Sequence, residues 1–463
     1  MKWKDKEELL KYAQKLENSS IILAITNTED HYGQTFSAMP TLYAGKGNFG
    51  DYLEERYFGK KNDTKSKPDF EEIGVELKTV PLKTLENGEV RVKERIVLNK
   101  FRYVDIVKET FSTSHFLAKD SVLLLVFYFH DNSIPLEDKK IDIVDLWEVL
   151  KHDINQIQQD WETIVNKIRE GKAHELSEGD TLYLGACTKG ANRASSMQEQ
   201  PFSKVLAPGR ALCFKNSYAN MIYRVLKEER ERRAKILATS IYEGESCWKP
   251  LEDRIHELVD KYVGKSGQTL YQLFNKKYNP LDKSRYASIS REMLGFSKNK
   301  PYYEFEAADI QVKTIRIEKN GLIKEAMSFK NIPYKEIVCQ NWEDSDFYNE
   351  LTSKFIFMIF KECDDNSNDY YFDGFYLWNM PSCDLDKARD VWEFTKHQVS
   401  IDDFDNMPNS NFNGVAHVRP KAQNSNDLME TSNGDMQKKK CFWLNNSYIR
   451  DVIYKLRNNV PLK

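Results

Sequence analysis

One short stretch of the chain carries charged side chains at a spacing that suits metal-assisted hydrolysis. From Gly74 onward the residues alternate as in a β-strand, so Glu76 and Lys78 share one face. Asp69 lies upstream, and a bend before Gly74 can return its carboxylate toward Glu76. Two carboxylates suit Mg²⁺, and a lysine beside the metal can orient or help deprotonate an attacking water. The pattern predicts phosphodiester hydrolysis.

The same pattern also fits an ordinary strand with one solvated face. Asp, Glu, Lys and Arg make up 30% of the chain, so an Asp-x6-Glu-x-Lys spacing arises by chance in many proteins of this kind. The surrounding sequence has to decide between these two interpretations.

Apolar periodicity predicts the elements that position this motif. Asn87 and Gly88 mark a tight hairpin whose second strand covers 90–98. The apolar run over 121–129 predicts a buried central strand, and Lys119 lies just before its first residue. An amphipathic helix over 49–57 carries Glu54. The remaining predicted elements are helices over 4–17, 145–171 and 225–260, and short strands over 20–25 and 182–184.

Several short motifs follow one another between about residues 45 and 220. They are Gly50 to Glu54, Lys67 to Phe70, Gly74 to Pro81, Thr113 to His115 with Lys119, Asp160 to Glu162, Gly171 to Glu175, and Thr188 to Asn192. This ordered set resembles the MutH/Sau family of Mg²⁺-dependent DNA endonucleases that act at GATC.

The resemblance implies a role for each charged residue of the motif. Asp69 and Glu76 would bind Mg²⁺, Lys78 would position or activate water, and Glu54 and Lys119 would support the site. It also implies an α/β (α+β) fold of the restriction-endonuclease type, with a mixed sheet flanked by helices.

A donor-rich loop follows the predicted strand over 182–184. Lysine and arginine can meet guanine edges and asparagine adenine edges, while glycine permits close approach to DNA. The resemblance makes this the base-reading loop, and the alternative is an ordinary polar turn. The loop residues concerned are Lys189, Gly190, Asn192 and Arg193.

The second half of the chain repeats the first in degenerate form. Tyr303 to Thr314 aligns with Pro68 to Thr79, and Lys313 stands in the place of Lys78. The carboxylates are not kept, because Gln311 replaces Glu76 and Glu304 replaces Asp69. A site that loses a carboxylate loses much of its affinity for a hard divalent ion.

The second copy keeps a polar loop that matches the base-reading loop. Its DNA-binding candidates are Arg419, Lys421 and Asn424. We therefore predict a tandem pseudo-dimer in which the second copy binds DNA without cutting it. The expected divisions are a catalytic domain over 1–224, a charged helical linker over 225–264 and a DNA-binding or regulatory domain over 265–463.

Composition bounds the remaining possibilities. The net charge is −3, so any basic DNA-binding surface must be local. Seven scattered cysteines without a Cys-x-x-Cys pair argue against a zinc ribbon and against a disulfide framework. No run of about 18 apolar residues occurs, so we expect a cytoplasmic protein without a membrane contact.

The function that the resemblance implies is a type II restriction endonuclease. It would cut double-stranded DNA 5′ of the G in GATC, with Mg²⁺, and leave 5′-phosphate ends. A palindromic site favours self-association on DNA, because each chain has one complete site. A cognate DNA methyltransferase would protect host sites without needing to bind the chain.

Three alternatives stay open at this stage. A strand-nicking endonuclease of methyl-directed mismatch repair uses the same chemistry, but that relative has a single domain, and Cys213 stands where it carries an aromatic residue. A GATC-binding protein without nuclease activity is the second alternative. The third is a nuclease that acts on RNA or on a particular nucleic-acid structure.

Overall fold

The computed structural model divides into two compact units. The first comprises Met1–His174 and Thr181–Leu237, and the second comprises Glu175–Asp180 and Ala238–Lys463. The residues that the structure describes are 2–20, 48–60, 67–85, 88–131, 133–135, 138–149, 151–189, 196–230, 241, 248–296, 302–323, 327–364, 368–421, 427–458 and 460.

The first unit mixes helices and strands. Its helices are α1 (Lys6–Ala13), α2 (Asn48–Tyr52), α3 (Tyr103–Ile106), α4 (His115–Asp120), α5 (Lys151–Arg169) and α6 (Asn216–Arg230). Its strands are β1 (Glu76–Thr84), β2 (Val90–Val92), β3 (Ile96–Phe101), β4 (Val122–Phe129), β5 (Ile141–Glu148), β6 (Leu184–Thr188), β7 (Met197–Gln200), β8 (Ser203–Pro208) and β9 (Arg210–Phe214).

The main sheet of the first unit has the strand order β2-β1-β4-β5. β4 is buried along almost its whole length, as expected for the apolar run over 121–129. β1 pairs with β4 in parallel, and this register sets Glu76 opposite Leu123 and Lys78 opposite Leu125. The charged motif therefore lies on an interior strand.

The predicted strand over 90–98 is confirmed only in part: Val90–Val92 and Ile96–Phe101 are two separate strands, because the chain changes sheets between them. β2 pairs with β1, whereas β3 belongs to a second sheet of order β3-β9-β6. Three charged residues over 93–95 interrupt the apolar alternation between the two strands. The amide nitrogen of Val92 donates to Asn220 Oδ1 at 2.7 Å, which fixes the end of the hairpin. Of the hairpin turn, Asn87 lies outside the described residues, and Gly88 donates to the Leu85 carbonyl at 2.9 Å.

The predicted helix over 145–171 begins too early. Residues 141–148 form β5, which pairs antiparallel with β4, and helix α5 begins at Lys151. Four apolar residues of this strand, Ile141, Ile143, Val144 and Trp147, are buried. Pairing with β4 overrides the weak local preference of a segment that contains two aspartates.

The other predicted elements match the structure in part. The first helix covers Lys6–Ala13 and continues as a tight turn over Gln14–Leu16. The helix predicted over 49–57 ends in a wider helical turn over Leu53–Tyr57. The strand predicted at 182–184 begins at Leu184. Most of the strand predicted over 20–25 lies outside the described residues, as do 231–240 and 242–247 of the charged segment.

The second unit contains its own set of elements. Its helices are α7 (Leu251–Val259), α8 (Gly267–Leu273), α9 (Arg285–Met293), α10 (Tyr303–Ala307), α11 (Tyr334–Ile337), α12 (Asp346–Leu351), α13 (Ser382–Ser400) and α14 (Asn446–Arg457). Its strands are β10 (Gln311–Ile317), β11 (Met327–Asn331), β12 (Phe355–Glu362), β13 (Tyr370–Trp378), β14 (Ala416–Pro420), β15 (Leu428–Glu430), β16 (Met436–Lys438) and β17 (Lys440–Leu444).

Within the described residues, the main sheet of the second unit has three strands in the order β10-β12-β13, where that of the first unit has four. β10 pairs in parallel with β12, and β12 pairs antiparallel with β13. A second sheet has the order β11-β17-β14, and β15 and β16 form a separate hairpin. Strand β12 is buried over its first six residues and provides the centre of this unit's core.

Membrane-spanning helices and disulfide bonds are two structural features that the composition bears on. No helix within the described ranges is long and apolar enough to cross a membrane. The six cysteines in the described residues are free, and Cys187, Cys213 and Cys441 are buried.

Candidate active site

A tight turn in the first unit brings the two candidate metal ligands together. Phe70 and Val75 pair across it, with the Phe70 amide donating to the Val75 carbonyl at 2.8 Å and the reverse bond at 3.2 Å. Gly74 closes the turn at a φ of 65°, a left-handed conformation that glycine adopts without a steric penalty. The residues on either side of the turn, Asp69 and Glu76, therefore face each other.

Main-chain groups hold these two carboxylates in place. The Asp69 amide donates to Glu76 Oε2 at 3.1 Å. The Leu77 amide donates to Asp69 Oδ2 at 2.9 Å. The predicted bend, which brings Asp69 toward Glu76, is thus confirmed.

Two lysines share one oxygen of Glu76. Lys78 Nζ lies 2.7 Å from Glu76 Oε1, and Lys119 Nζ lies 3.4 Å from the same atom. Lys119 occupies the last turn of α4, whose first turn is capped by the Ser114 hydroxyl. The Glu76 side chain is 4% exposed and each lysine side chain 18% exposed, so this charge cluster is largely shielded from water.

The cluster is short of positive charge. Burial, followed by the neighbouring Glu76, raises the pKa of Asp69 to about 6, although Leu77 and Lys78 oppose the shift. Burial alone would lower the pKa of Lys78, but Glu76 and Asp120 outweigh it, and the net pKa is raised. A cation placed among these carboxylates would relieve their mutual repulsion.

Glu54 faces the same cluster from the turn over Leu53–Tyr57. Burial first, and then Asp69, Asp51 and Glu76, raise the pKa of its carboxyl group to about 7. The position of Glu54 as a third acid at the site therefore agrees with the sequence prediction, while its role stays a prediction.

Asp120 is a fourth acid at the site, and sequence reasoning missed it. It directly follows Lys119, is 0% exposed and interacts electrostatically with Lys78, Glu76, Lys119 and Asp69. Burial raises the pKa of its carboxyl group to about 7. The only signal in the sequence is an acid immediately before a long apolar run.

The donor set fits a hard divalent ion with few protein ligands. Within the described residues there is no group of three or more His, Cys, Asp or Glu side chains arranged to hold a metal. Mg²⁺ commonly takes one or two carboxylates and completes its shell with water and phosphate oxygens. Asp69 Oδ1 accepts no hydrogen bond from the described residues, so Asp69 and Glu76 can supply such a pair.

The candidate base-reading loop begins where β6 ends. The Lys189 amide donates to the Gly209 carbonyl at 2.8 Å, which ties the start of the loop to the neighbouring strand. Gly190, Asn192 and Arg193 lie outside the described residues.

Asp160 anchors the other end of strand β6. Its buried carboxylate accepts the amides of Leu182, Tyr183 and Leu184 at 3.0, 2.7 and 2.9 Å. Asp160 therefore holds the strand that leads into the reading loop, which gives a structural reason for the Asp-Trp-Glu motif.

The second unit has a related strand without the paired carboxylates. Gln311 begins β10 and donates to Asp309 Oδ1 at 2.8 Å, and Lys313 follows two residues later. Glu304 is buried, and its Oε2 accepts the Ile241 amide at 2.9 Å. These contacts give Glu304 a structural partner and place a neutral amide where the first unit has Glu76.

The helix before the central strand also differs between the units. Glu350 is the fifth residue of α12, a six-residue helix capped by Ser345, as Lys119 is the fifth residue of α4. Burial raises the pKa of Glu350, and Lys330 and Lys313 oppose this shift. A carboxylate thus replaces the second lysine, a charge reversal that motif matching did not detect.

The predicted DNA-binding residues of the second unit occupy the end of β14 and the residue after it. The Arg419 guanidinium lies 3.7 Å from the centre of the Trp443 ring, and Arg419 is exposed. Lys421 Nζ donates to the Phe329 carbonyl at 2.7 Å. Asn424 lies outside the described residues.

Comparison with known proteins shows which proteins this chain resembles. The family model described as DNA mismatch repair enzyme MutH matches residues 58–160 and 295–390. The type II restriction enzyme Sau3AI of Staphylococcus aureus is 36% identical over 437 residues, covering 88% of this chain and 88% of that protein.

Two mismatch repair proteins match a shorter part of the chain. MutH of Shewanella woodyi is 28% identical, and the match covers 38% of this chain and 73% of that protein. MutH of Haemophilus influenzae is 31% identical and covers 33% of this chain and 66% of its own length. Since the similarity to Sau3AI extends over most of both proteins, this chain belongs to the MutH/Sau3AI family of endonucleases.

Proposed function

We propose that this chain is a type II restriction endonuclease that hydrolyses double-stranded DNA at GATC. The cut falls 5′ of the G and leaves 5′-phosphate ends. Its similarity to Sau3AI over 88% of both chains supports this class of enzyme. The observation that carries the assignment is Glu76, which touches both lysines and lies beside Asp69.

The catalytic roles follow from the charges of these side chains. Asp69 and Glu76 would hold Mg²⁺, which would supply Lewis-acid stabilisation of the phosphate. Lys78 positions the attacking water. Lys119, 3.4 Å from the same Glu76 oxygen, stabilises negative charge on the phosphate, and Glu54 supports the ligand cluster.

We further propose that the second unit arose by duplication of the first and binds DNA without cutting. The family model matches a range in each unit, and β10 pairs in parallel with β12 as β1 pairs with β4. The second unit offers Gln311 and a reversed charge at Glu350, a poor site for a divalent ion. Exposed Arg419 gives it a basic contact for DNA.

The domains of this pseudo-dimer are a catalytic part over 1–224, a linker over 225–264 and a DNA-binding part over 265–463. One competent site per chain means that two chains associate on one palindromic target to cut both strands. DNA cleavage of this kind is a cytoplasmic activity, and a cognate methyltransferase protects host sites without contacting the enzyme.

Digestion of defined linear duplexes tests this function. Duplexes with and without one GATC are incubated with Mg²⁺ and either the unaltered chain or Asp69→Ala, and the ends are mapped to the nucleotide. We expect cutting only at GATC and only by the unaltered chain. A GATC duplex that is bound but stays whole, even with a second GATC duplex in trans, would contradict the proposal. A nick in one strand would favour the repair type of activity.

A further inference from the structure

Asp120 is a buried acid without a visible structural partner. It ends helix α4, it is 0% exposed, and neither carboxylate oxygen accepts a hydrogen bond from a described residue. Leaving a buried polar group unpaired costs free energy, and charged groups cost the most. A fold without a use for Asp120 would be better served by an apolar residue.

The charged groups around Asp120 are those of the active site. They are, in order of their effect on it, Lys78, Glu76, Lys119 and Asp69. For Lys78, in turn, the carboxylates that act on it most are Glu76 and then Asp120. Asp120 is therefore the second carboxylate within electrostatic reach of the Lys78 ammonium.

Once a metal binds, the two lysines and the metal compete for the oxygens of Glu76. Its Oε1 already accepts Lys78 at 2.7 Å and lies 3.4 Å from Lys119, and its Oε2 accepts the Asp69 amide. A divalent ion on Glu76 competes with the lysines for the same lone pairs. An ammonium displaced inside this shielded cluster needs another acceptor.

We propose that Asp120 is a positioning residue that accepts the Lys78 ammonium when a divalent ion binds Asp69 and Glu76. The lysine keeps its proton and changes its partner, so that it stays beside the metal in a fixed orientation. This inference rests on the metal assignment in the proposed function.

The second unit supports the link between Asp120 and the metal site. The last residue of α12 is Leu351, which is 0% exposed and belongs to the hydrophobic core. The same unit has Gln311 in place of the metal-binding glutamate. An acid at the end of this helix thus accompanies the carboxylate pair, and an apolar residue accompanies its loss.

Mn²⁺ titration of the full chain without DNA tests the proposal by calorimetry. Asp120→Asn is expected to weaken Mn²⁺ binding about 10-fold or more, the usual loss when a residue that orients a metal site is removed. In a Lys78→Met background the same change should have no further effect, because Asp120 acts through Lys78. Asp105→Asn, at a half-exposed acid of the same unit, is the matched control and should bind Mn²⁺ as the unaltered chain does.

A second measurement separates positioning from a structural role. Without metal, Asp120→Leu should raise the melting temperature, because it replaces a buried unpaired acid with an apolar residue. A lower melting temperature for Asp120→Leu would make Asp120 part of the folding framework and overturn the proposal. So would an unchanged Mn²⁺ affinity of Asp120→Asn, or an equal loss with and without Lys78, which would make Asp120 a direct ligand.

These outcomes are independent of cleavage. A chain that cuts GATC but shows no coupling between Asp120 and Lys78 would refute this inference alone. Coupling in a chain that does not cut would refute the proposed function alone. Failure of the unaltered chain to bind Mn²⁺ would overturn the metal assignment and this inference with it.

Discussion

The backbone nitrogen of Asp69 donates to Glu76 Oε2 at 3.1 Å, so a main-chain amide on one side of the turn holds the acid on the other side. The Leu77 amide binds Asp69 Oδ2 in return. Substitutions that keep a side-chain acceptor oxygen, such as Glu76→Gln, are therefore expected to alter chemistry more than fold. This separation makes the site accessible to substitution experiments.

Replacing Glu76 tests the shared ligand of the cluster. Glu76→Gln removes the charge that both lysines and the metal use, and we expect GATC cleavage to fall by about 1,000-fold or more. Glu71→Gln is the matched control, since Glu71 is exposed on the same turn and pairs only with Lys67 among the described residues. The rate at which each variant cleaves a 5′-labelled duplex measures both effects. Equal rates for the two variants would contradict the role of Glu76.

Lys119 should contribute to the rate rather than to DNA binding. Lys119→Met removes one cation 3.4 Å from Glu76, and we expect a loss of about 100-fold in the single-turnover rate at saturating enzyme. Lys108→Met, at an exposed lysine of the same unit, should leave that rate within about twofold. If gel-shift affinity fell for Lys119→Met as much as the rate did, Lys119 would be a DNA-binding residue instead.

Gly74 controls the turn that aligns the acids. Its φ of 65° strains any β-branched residue, and we expect Gly74→Val to lower the free energy of unfolding by about 1–2 kcal/mol and to abolish cleavage. Gly74→Asn should be milder in both respects, because asparagine tolerates this conformation. Urea unfolding and cleavage assays on the two variants measure the difference. Equal effects would mean that side-chain size, not backbone conformation, matters there.

The raised pKa of Glu54 predicts a pH dependence of stability without metal. Its folded-state pKa is about 7, above its ordinary value near 4.3 in an unfolded chain. Between these values the folded chain binds more protons than the unfolded chain, so this group lowers the free energy of unfolding as the pH rises. Glu54→Gln should therefore lose less stability between pH 5 and pH 8 in EDTA than the unaltered chain.

Glu55→Gln provides the control for that experiment, because Glu55 is exposed in the same turn. Its urea midpoints should follow those of the unaltered chain at each pH. An equal loss of stability in Glu54→Gln and the unaltered chain would mean that Glu54 is already ionised in the folded chain over the whole range.

The basic contact of the second unit should govern affinity and its salt dependence. Arg419→Ala removes an exposed guanidinium, and we expect the slope of log affinity against log salt concentration to fall by about one if it contacts a phosphate. Arg450→Ala, at another exposed arginine of this unit, is the control. An unchanged slope for Arg419→Ala, with unchanged affinity, would remove Arg419 from the DNA interface.

Local signals allowed the sequence to predict the centre of the site. The alternation around Glu76 and Lys78 and the glycine at position 74 are short-range features, and the structure places them as expected. The apolar run over 121–129 is long enough to specify a buried strand without help from its neighbours.

The features that sequence reasoning missed depend on contacts between distant segments. β5 becomes a strand because β4 pairs with it, although two aspartates interrupt its apolar pattern. Asp120 becomes a site residue because the parallel pairing of β1 with β4 brings the end of α4 to Lys78. Glu350 was overlooked because its equivalence to Lys119 lies in helix position, not in a shared motif.

The most direct test of the account compares the two lysines that follow Glu76 and Gln311. Lys78→Met and Lys313→Met are assayed side by side on one GATC duplex with Mg²⁺. We expect Lys78→Met to abolish cutting of both strands, and Lys313→Met to cut at the rate of the unaltered chain. Loss of cutting in Lys313→Met, or its survival in Lys78→Met, would contradict the claim that the first unit alone carries out the chemistry.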